Sequence, residues 1–506
     1  MPNIQLAPTE WKVLVMLLEA FLPNVKVWAF GSRVKLKARK NSDLDLVAFT
    51  GPEFERAIAS LKEAFEESDL PFPIDLHVWS RVPQQYQVEI QQNYLEIQST
   101  KALAGVRLGE IADVVMGQSP AGESCNANRE GLPLLNGPTE FGAYHPTPTQ
   151  WTKDPRKQAR PKDLLFCVRG STTGRMNWAD QQYAIGRGLA AIRHKSDPEL
   201  QPLVRAVFDY ELPGLLLQAT GSTFPNVSRD QIMGLKWPSL SPEAEKRASQ
   251  IIGSLDDKIE LNRRMAATLE EMARALFKSW FVDFDPVRAK AEGRPTGLPP
   301  DIDALFPDEL VESELGLIPK GWSIGTVGEY FKITMGQSPP GNTYNAEGNG
   351  MPFYQGKTDF GFRFPAPRMY CTAPTRIAEA GDVLISVRAP VGAINMATER
   401  CCIGRGVGSA LHKTGSQSFT FHGMGTLSSY FAQFDGEGTV FGSMTKKDFE
   451  SIPFIEPSLQ IVAAFEHMCR PIDAKVFNAE SELRALSALR DTLIPKLLSG
   501  ELGALQ

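Results

Sequence analysis

The chain has 506 residues, too many for one ordinary core and enough for roughly three or four domains. Its 42% hydrophobic and 22% charged composition is that of a soluble globular protein, and no apolar run approaches the roughly 20 residues needed to cross a bilayer. A net charge of -6 excludes a uniformly basic nucleic-acid coat but leaves room for a basic cleft balanced by acidic helices. The opening MPNIQLAPTEWKVLVMLLEAF has no basic stretch ahead of its apolar one and contains acidic residues, so an amphipathic helix is expected rather than a signal peptide. The cysteines, Cys125, Cys167, Cys371, Cys401, Cys402 and Cys469, form no CxxC pair and no Cys/His spacing suited to zinc, which points to a reduced, cytoplasmic protein.

Residues 1–100 stand outside the internal repeat that fills the rest of the chain and form a unit of their own. VWAFGSR places Gly31 and Ser32 in a turn after a β-type run, SDLDLVAF places Asp43 and Asp45 on a second run, and IDLHVW places Asp75 on a third. A Gly-Ser turn presents backbone N–H groups and a hydroxyl to nucleotide phosphates. Alternate residues of a strand face one side, so Asp43 and Asp45 can share Mg²⁺, and Asp75 would complete a two-metal arrangement and help activate the attacking hydroxyl. Arg33, Lys35 and Lys37 either assist the phosphates or form a solvated basic face. Together these residues resemble the minimal nucleotidyltransferases of the DNA polymerase β superfamily, including antitoxin-type AMP transferases. The resemblance implies an α/β domain that uses Mg²⁺ and a nucleoside triphosphate. Asp43, Asp45 and Asp75 would be its catalytic and metal-holding residues, and Gly31, Ser32 and Arg33 its nucleotide-binding ones. Retained chemistry and a degenerate domain kept for binding are both open.

From Val106 onward the chain repeats itself at a spacing of 219 residues, set by MGQSPAG at Met116 and MGQSPPG at Met335. GLP at Gly131 answers GMP at Gly350, TEFG at Thr139 answers TDFG at Thr358, DLLFCVRG at Asp163 pairs with DVLISVRA at Asp382, and IGRG recurs at Ile185 and Ile403. Short β-type runs among Gly and Pro predict two α+β domains, residues 106–240 and 320–457. Each copy ends in PSL, at Pro238 and Pro457, and leads into a helical pattern.

The first helix is predicted over residues 241–282, with Ser241 as cap and Pro242 at the first helical position. Its seam runs Ile252, Leu255, Ile259, Asn262, Ala266, Leu269, Ala273, Leu276, Trp280. The second lies within residues 458–506, with seam residues Ile472, Val476, Ala479, Leu483, Leu486, Arg490, Leu493 and Leu497, and an interruption expected at Pro495. Two such seams suit an antiparallel coiled coil in which Asn262 fixes register. Residues 283–319, rich in proline and charge, read as a linker.

MGQSPPGNTYN at Met335, the IGRG pair and LDDKIELNRRMAATLEEMARALFKSWFVDFDPVRAK at Leu255 resemble type I restriction specificity subunits. The resemblance covers about four-fifths of the chain. It implies two target-recognition domains, each reading half of a bipartite double-stranded DNA target, spaced by a helix pair that docks two methyltransferase subunits and the restriction (translocase) subunits. Catalysis and S-adenosylmethionine would then belong to the partners, and no GxxxxGK[ST] occurs in this chain. The physics agrees, since a helix of about 40 residues spans about 60 Å. The rival expectation is an antitoxin-like AMP transferase that modifies a toxin-like protein partner, with the repeats as its targeting platform.

The candidate DNA-binding residues are basic groups that recur or cluster. Arg169 and Arg388 end equivalent strands, and Arg187 and Arg405 sit in the two IGRG loops. Such arginines either grip phosphates and guanine edges or hold a shared fold through buried contacts. Lys153, Arg156, Lys157, Arg160 and Lys162 form a run beside Trp151, either a solvated loop or a base reader in a divergent segment.

Overall fold

The computed structural model describes residues 4–22, 25–39, 42–50, 54–68, 70–83, 86–87, 90, 93–98, 106–217, 219, 225–434 and 442–504. At the N-terminus, helix α1 (Pro8–Phe21) precedes β1 (Val27–Phe30) and β2 (Leu44–Ala48), and α2 (Glu55–Glu66) precedes β3 (Ile74–Val78) and β4 (Tyr94–Gln98). The strands form one sheet in the order β3-β2-β1-β4, with β2 and β3 parallel. Strand alternation sorts the side chains. Val27, Ala29, Leu44, Leu46 and Ala48 pack under Leu14 and Leu18 of α1 and Leu61 of α2, while Trp28 and Val47 face the other way. Asp45, one residue before Leu46, is thereby turned away from the main core.

The chain divides into two compact units, residues 1–257 with 486–506, and residues 258–485. Each holds one copy of the repeat. The first copy contains β5 (Ala112–Met116), β6 (Cys125–Asn126), β7 (Leu132–Leu135), β8 (Gln150–Thr152), β9 (Gln158–Ala159), β10 (Leu164–Cys167), β11 (Met176–Trp178), β12 (Tyr183–Ile185) and β13 (Leu189–His194). They form two sheets, β11-β10-β13-β5 and β6-β8-β7-β12-β9. After helix α3 (Pro242–Phe281), the second copy supplies β14 (Phe331–Met335), β15 (Tyr344–Asn345), β16 (Met351–Tyr354), β17 (Tyr370–Cys371), β18 (Ile377–Ala378), β19 (Val383–Ser386), β20 (Ile394–Met396), β21 (Cys401–Ile403) and β22 (Val407–His412). Their orders, β14-β22-β19-β20 and β15-β17-β16-β21-β18, match the first copy strand for strand. The repeat in the sequence is therefore a repeat of topology.

Helix α4 (Leu459–Leu498) closes the chain. It runs through Pro495 rather than breaking there: a proline in the last turn forfeits one backbone bond, and its carbonyl still accepts from Ser499 N–H at 3.0 Å. In the unit of residues 258–485, Ala266, Ala273, Phe277 and Trp280 of α3 share a core with Phe465, Val476 and Ala479 of α4. In the other unit, Ala248 and Ile252 share a core with Ile494 and Leu497.

Residues 283–319 are ordered rather than a plain linker. A helix spans Asp285–Ala291, and a hairpin pairs Leu310–Ser313 with Gly316–Pro319. Phe284, Val287 and Phe306 are buried with Trp280 and Trp322, and the Lys290 ammonium donates to the carbonyls of Asp303 and Phe306 at 3.0 and 2.7 Å. Buried Phe284, Val287, Phe306 and Ile318, with partly buried Leu298, Ile302, Leu305 and Leu310 packed against the core, fix the segment despite its prolines and charges.

Candidate functional site

The N-terminal site is built where β1 ends. Gly31 takes φ +79°, and a Cβ there would lie 2.1 Å from Asp45 Oδ2, so only glycine lets the turn approach the carboxylate. Ser32 lies in the same turn, its carbonyl accepting from Lys37 N–H at 2.9 Å. Asp45 stands opposite Asp75 in the β2–β3 ladder, and exposed Asp43 precedes it by two residues. Burial, then Asp75 and Asp43, push the Asp45 carboxyl above its ordinary value. Asp75 Oδ2 lies 3.2 Å from His77 Nε2. A cavity of about 590 Å³ opens here, lined among others by Gly31, Asp45, Lys62, His77, Arg81 and Tyr86. Only Gly31 and Asp45 of these were legible as site residues: His77 lies on β3 two residues after Asp75 but was not singled out, and Lys62, Arg81 and Tyr86 come from segments with no motif of their own.

Two expectations change. Arg33 is not a phosphate ligand here: it is buried, its guanidinium donates to the carbonyls of Ser42 and Gln5 at 2.7–3.0 Å, and it lies 3.6 Å from the Phe72 ring. Among the described residues no three His, Cys, Asp or Glu side chains are gathered to hold an ion, so Asp43, Asp45 and Asp75 do not form a closed metal centre. The raised Asp45 carboxyl, crowded by two others, nevertheless fits a divalent cation in charge.

In the repeats, Arg169, Arg187, Arg388 and Arg405 are all exposed, and among the described residues their guanidinium groups have no partner. That removes the alternative in which they brace the fold through buried contacts. Their positions are set by backbone. Arg187 N–H and Arg405 N–H each donate to a serine hydroxyl, Ser119 and Ser338, at 3.3 Å. Arg169 and Arg388 each form a β-bridge, with Asn226 and Ser443. Arg388 and Arg405 line one cavity of about 560 Å³ with Ser338, Gln355 and Lys357.

The basic run is less available. Lys153 is ion-paired with Glu130, and Arg156 with Asp154 at 2.8 Å. Lys157, Arg160 and Lys162 are exposed, with Trp151 half-buried nearby on β8. The backbone fixes that stretch, Lys157 O accepting from Ile185 N–H and Arg160 N–H donating to Asp163 Oδ2.

Sequence comparison bears on the N-terminal site first. Residues 13–97 match the nucleotidyltransferase domain. Over 97 residues, 19% of this chain and 85% of the relative, the chain is 40% identical to the probable protein adenylyltransferase MntA of Haemophilus influenzae. Through this domain the chain belongs to the nucleotidyltransferase family. Outside the nucleotidyltransferase domain the relatives are of another kind. The putative type I restriction enzyme MjaX specificity subunit of Methanocaldococcus jannaschii is 31% identical over 282 residues, 55% of this chain and 61% of that one. The chain thus spans about three-fifths of that relative. The type I restriction enzyme HindI specificity subunit of H. influenzae is 26% identical over 346 residues, 57% of this chain and 73% of the relative. The crystal structure of the S subunit of a type I restriction-modification system from M. genitalium overlays with a TM-score of 0.50 at 15% identity, over 77% of this chain and 94% of that one, a likeness of fold. Among the described residues no helix is long and apolar enough to cross a membrane.

Proposed function

We propose that the chain is the DNA-specificity subunit of a type I restriction-modification complex, carrying a nucleotidyltransferase domain at its N-terminus. The observation that carries the reading is the doubled scaffold: two domains of one strand order, each presenting from equivalent loops a pair of exposed arginines whose guanidinium groups have no partner among the described residues. Arginine suits phosphates and guanine edges, and two diverged copies suit two different half-sites of a bipartite duplex target. In this reading α3 and α4 pair as an antiparallel coiled coil that sets the spacing and docks two methyltransferase subunits and the restriction subunits. Asn262 donating to Glu482 at 2.9 Å and Arg490 to Asp256 at 2.8 Å support an antiparallel register within their respective units.

The nucleotidyltransferase domain is proposed to act on a nucleoside triphosphate. Mg²⁺, when bound with it, supplies charge neutralisation at the phosphates, with Asp43 and Asp45 as its protein ligands. Backbone N–H groups of the Gly31–Ser32 turn hold the phosphates, and Asp75, steadied by His77, takes the proton of the attacking hydroxyl. The cavity beside Asp45 supports a second reading, in which the domain modifies a toxin-like protein partner and the repeats serve as its targeting platform.

Methylation sequencing of cells carrying the chain with its cognate methyltransferase tests both readings. A methylated split motif is expected, and Asp45→Ala should leave it intact while abolishing Mg²⁺-dependent label transfer from nucleoside triphosphate to protein. Unmodified DNA alongside persistent label transfer would reverse the order of the two readings.

A further inference from the structure

What the two repeats share cannot tell one half-site from the other; what differs between them at the same surface can. The shared part is closely specified. A Cβ on Gly117 would lie 2.1 Å from Gly186 O, and one on Gly336 would lie 2.2 Å from Gly404 O. Likewise a Cβ on Gly188 would meet Asn136 O at 2.7 Å, and one on Gly406 would meet Gln355 O at 2.3 Å. Three loops thus press backbone to backbone in both copies, and their arginines project from the same frame. The loop that follows β7 and β16 is where the copies part. It reads Asn136-Gly137-Pro138 in the first and Gln355-Gly356-Lys357 in the second. Asn136 is tied back, its Nδ2 donating to Gln150 Oε1 at 3.1 Å, whereas the position equivalent to Gln150 in the second copy is Met369. Lys357 and Gln355 are exposed and, among the described residues, their side chains have no partner. Both line the cavity that Arg388 and Arg405 border.

We infer that Lys357 is a specificity-determining residue of the second repeat, reading a guanine, while Arg169, Arg187, Arg388 and Arg405 hold the DNA backbone in both halves. The inference rests on the DNA-reading proposal above. An ammonium has three donors and no acceptor, and among the base edges of the major groove only guanine offers two adjacent acceptors, N7 and O6. Gln355 beside it donates and accepts, which suits an adjacent adenine. The first repeat, with proline at the lysine position and its amide already engaged, lacks both reagents and must recognise its half by other residues.

The full chain, co-expressed with its cognate methyltransferase and read by methylation sequencing, tests this. Lys357→Ala should relax one guanine position in one half of the motif about tenfold and leave the other half unchanged. Lys357→Arg should keep that guanine. Lys357→Pro, which installs the residue the first copy carries at this position, should relax it as alanine does. Arg388→Ala should instead lower methylation at all sites alike and reduce the salt dependence of duplex binding by about one unit of slope. An unchanged motif in Lys357→Ala, or a loss spread evenly over all sites, overturns the assignment of Lys357. Absence of a split motif in the wild type overturns the DNA-reading proposal itself, a different result.

Discussion

Arg363 and Tyr144 stand 219 residues apart, at equivalent positions of two domains with one strand order; their carbonyls accept from equivalent strand residues, Met396 N–H and Trp178 N–H, at 2.9 Å, but their side chains meet different partners. Arg363 is fully buried. Its guanidinium bonds Glu270 of α3 and, at 2.8 Å, Asp473 of α4, and lies 3.6 Å from the Phe421 ring. Tyr144 meets the edge of His145 at 4.9 Å instead. The difference continues along the helix after each last strand. His194 N–H donates to Gln201 Oε1 and His412 N–H to Thr420 Oγ1, and two residues further on come buried Leu203 and buried His422. At these positions the first domain places apolar Leu203 in its core, whereas the second adds a cluster of buried charges to an otherwise apolar packing against its helices. A duplicated sheet is held by close backbone approach and hardly varies, whereas the surface facing the helices can diverge provided each buried charge has a partner.

The largest effect expected from breaking this contrast is at Arg363. Arg363→Met keeps the bulk but leaves the Glu270 and Asp473 carboxylates buried without their cation, which should cost about 3–5 kcal/mol of the stability of residues 258–485. Denaturant unfolding followed by hydrogen exchange separates the two units, and an unchanged second unit in Arg363→Met would show that the ion cluster is not what holds it.

A smaller effect, with a pH signature, belongs to His422. Burial, then Arg363 and Arg274, push its imidazole down to about 3; Glu270 Oε1 lies 3.9 Å from Nδ1 but is already committed to Arg363. Because the folded value lies below the ordinary 6.5, the unfolded chain takes up the proton first as pH falls. The full stability is present above pH 6.5 and is lost on the way down, by about 2 kcal/mol at pH 5. His422→Leu, which installs the residue of the first copy, should flatten that slope, as read by unfolding at pH 7 and pH 5. A slope unaltered by the substitution would assign the acid sensitivity to other groups.

What the sequence discloses follows from how locally each feature is encoded. The repeat, the Gly31 turn and the short runs holding Asp45 and Asp75 are encoded by neighbouring residues, and their placement on turn and strands was legible, whereas Asp43 falls one residue before β2 rather than on it. Arg33 was misread because its acceptors are main-chain carbonyls of Ser42 and Gln5, and no side-chain pattern displays a carbonyl. Arg363 was invisible for another reason: its partners Glu270 and Asp473 are 93 and 110 residues away and acquire meaning only when both helices pack on the domain. The order in residues 283–319 was hidden by composition, since prolines and charges outnumber the side chains that anchor it. Lys357 did leave a signal, a cation that stands opposite Pro138 when the two copies are aligned at Gly137 and Gly356.

The smallest expected effect concerns the polar contacts between α3 and α4, which also differ between the units. In residues 258–485 the contact is neutral on one side: Asn262 is fully buried, its Nδ2 donates to Glu482, and its Oδ1 has no partner among the described residues. In the other unit the contact is an ion pair, Arg490 to Asp256, largely out of water. A buried acceptor left unmade carries a desolvation cost, and the bond Asn262 does make ends on an exposed carboxylate that water can serve equally well. Asn262→Leu should therefore leave the second unit as stable as before or raise it by about 1 kcal/mol, at the expense of the register a polar residue enforces. Arg490→Met, by contrast, strands Asp256 and should lower the first unit. Denaturant midpoints of the two variants measure the contrast, and a fall with Asn262→Leu larger than about 1 kcal/mol would mean that the Glu482 bond outweighs the unmade one.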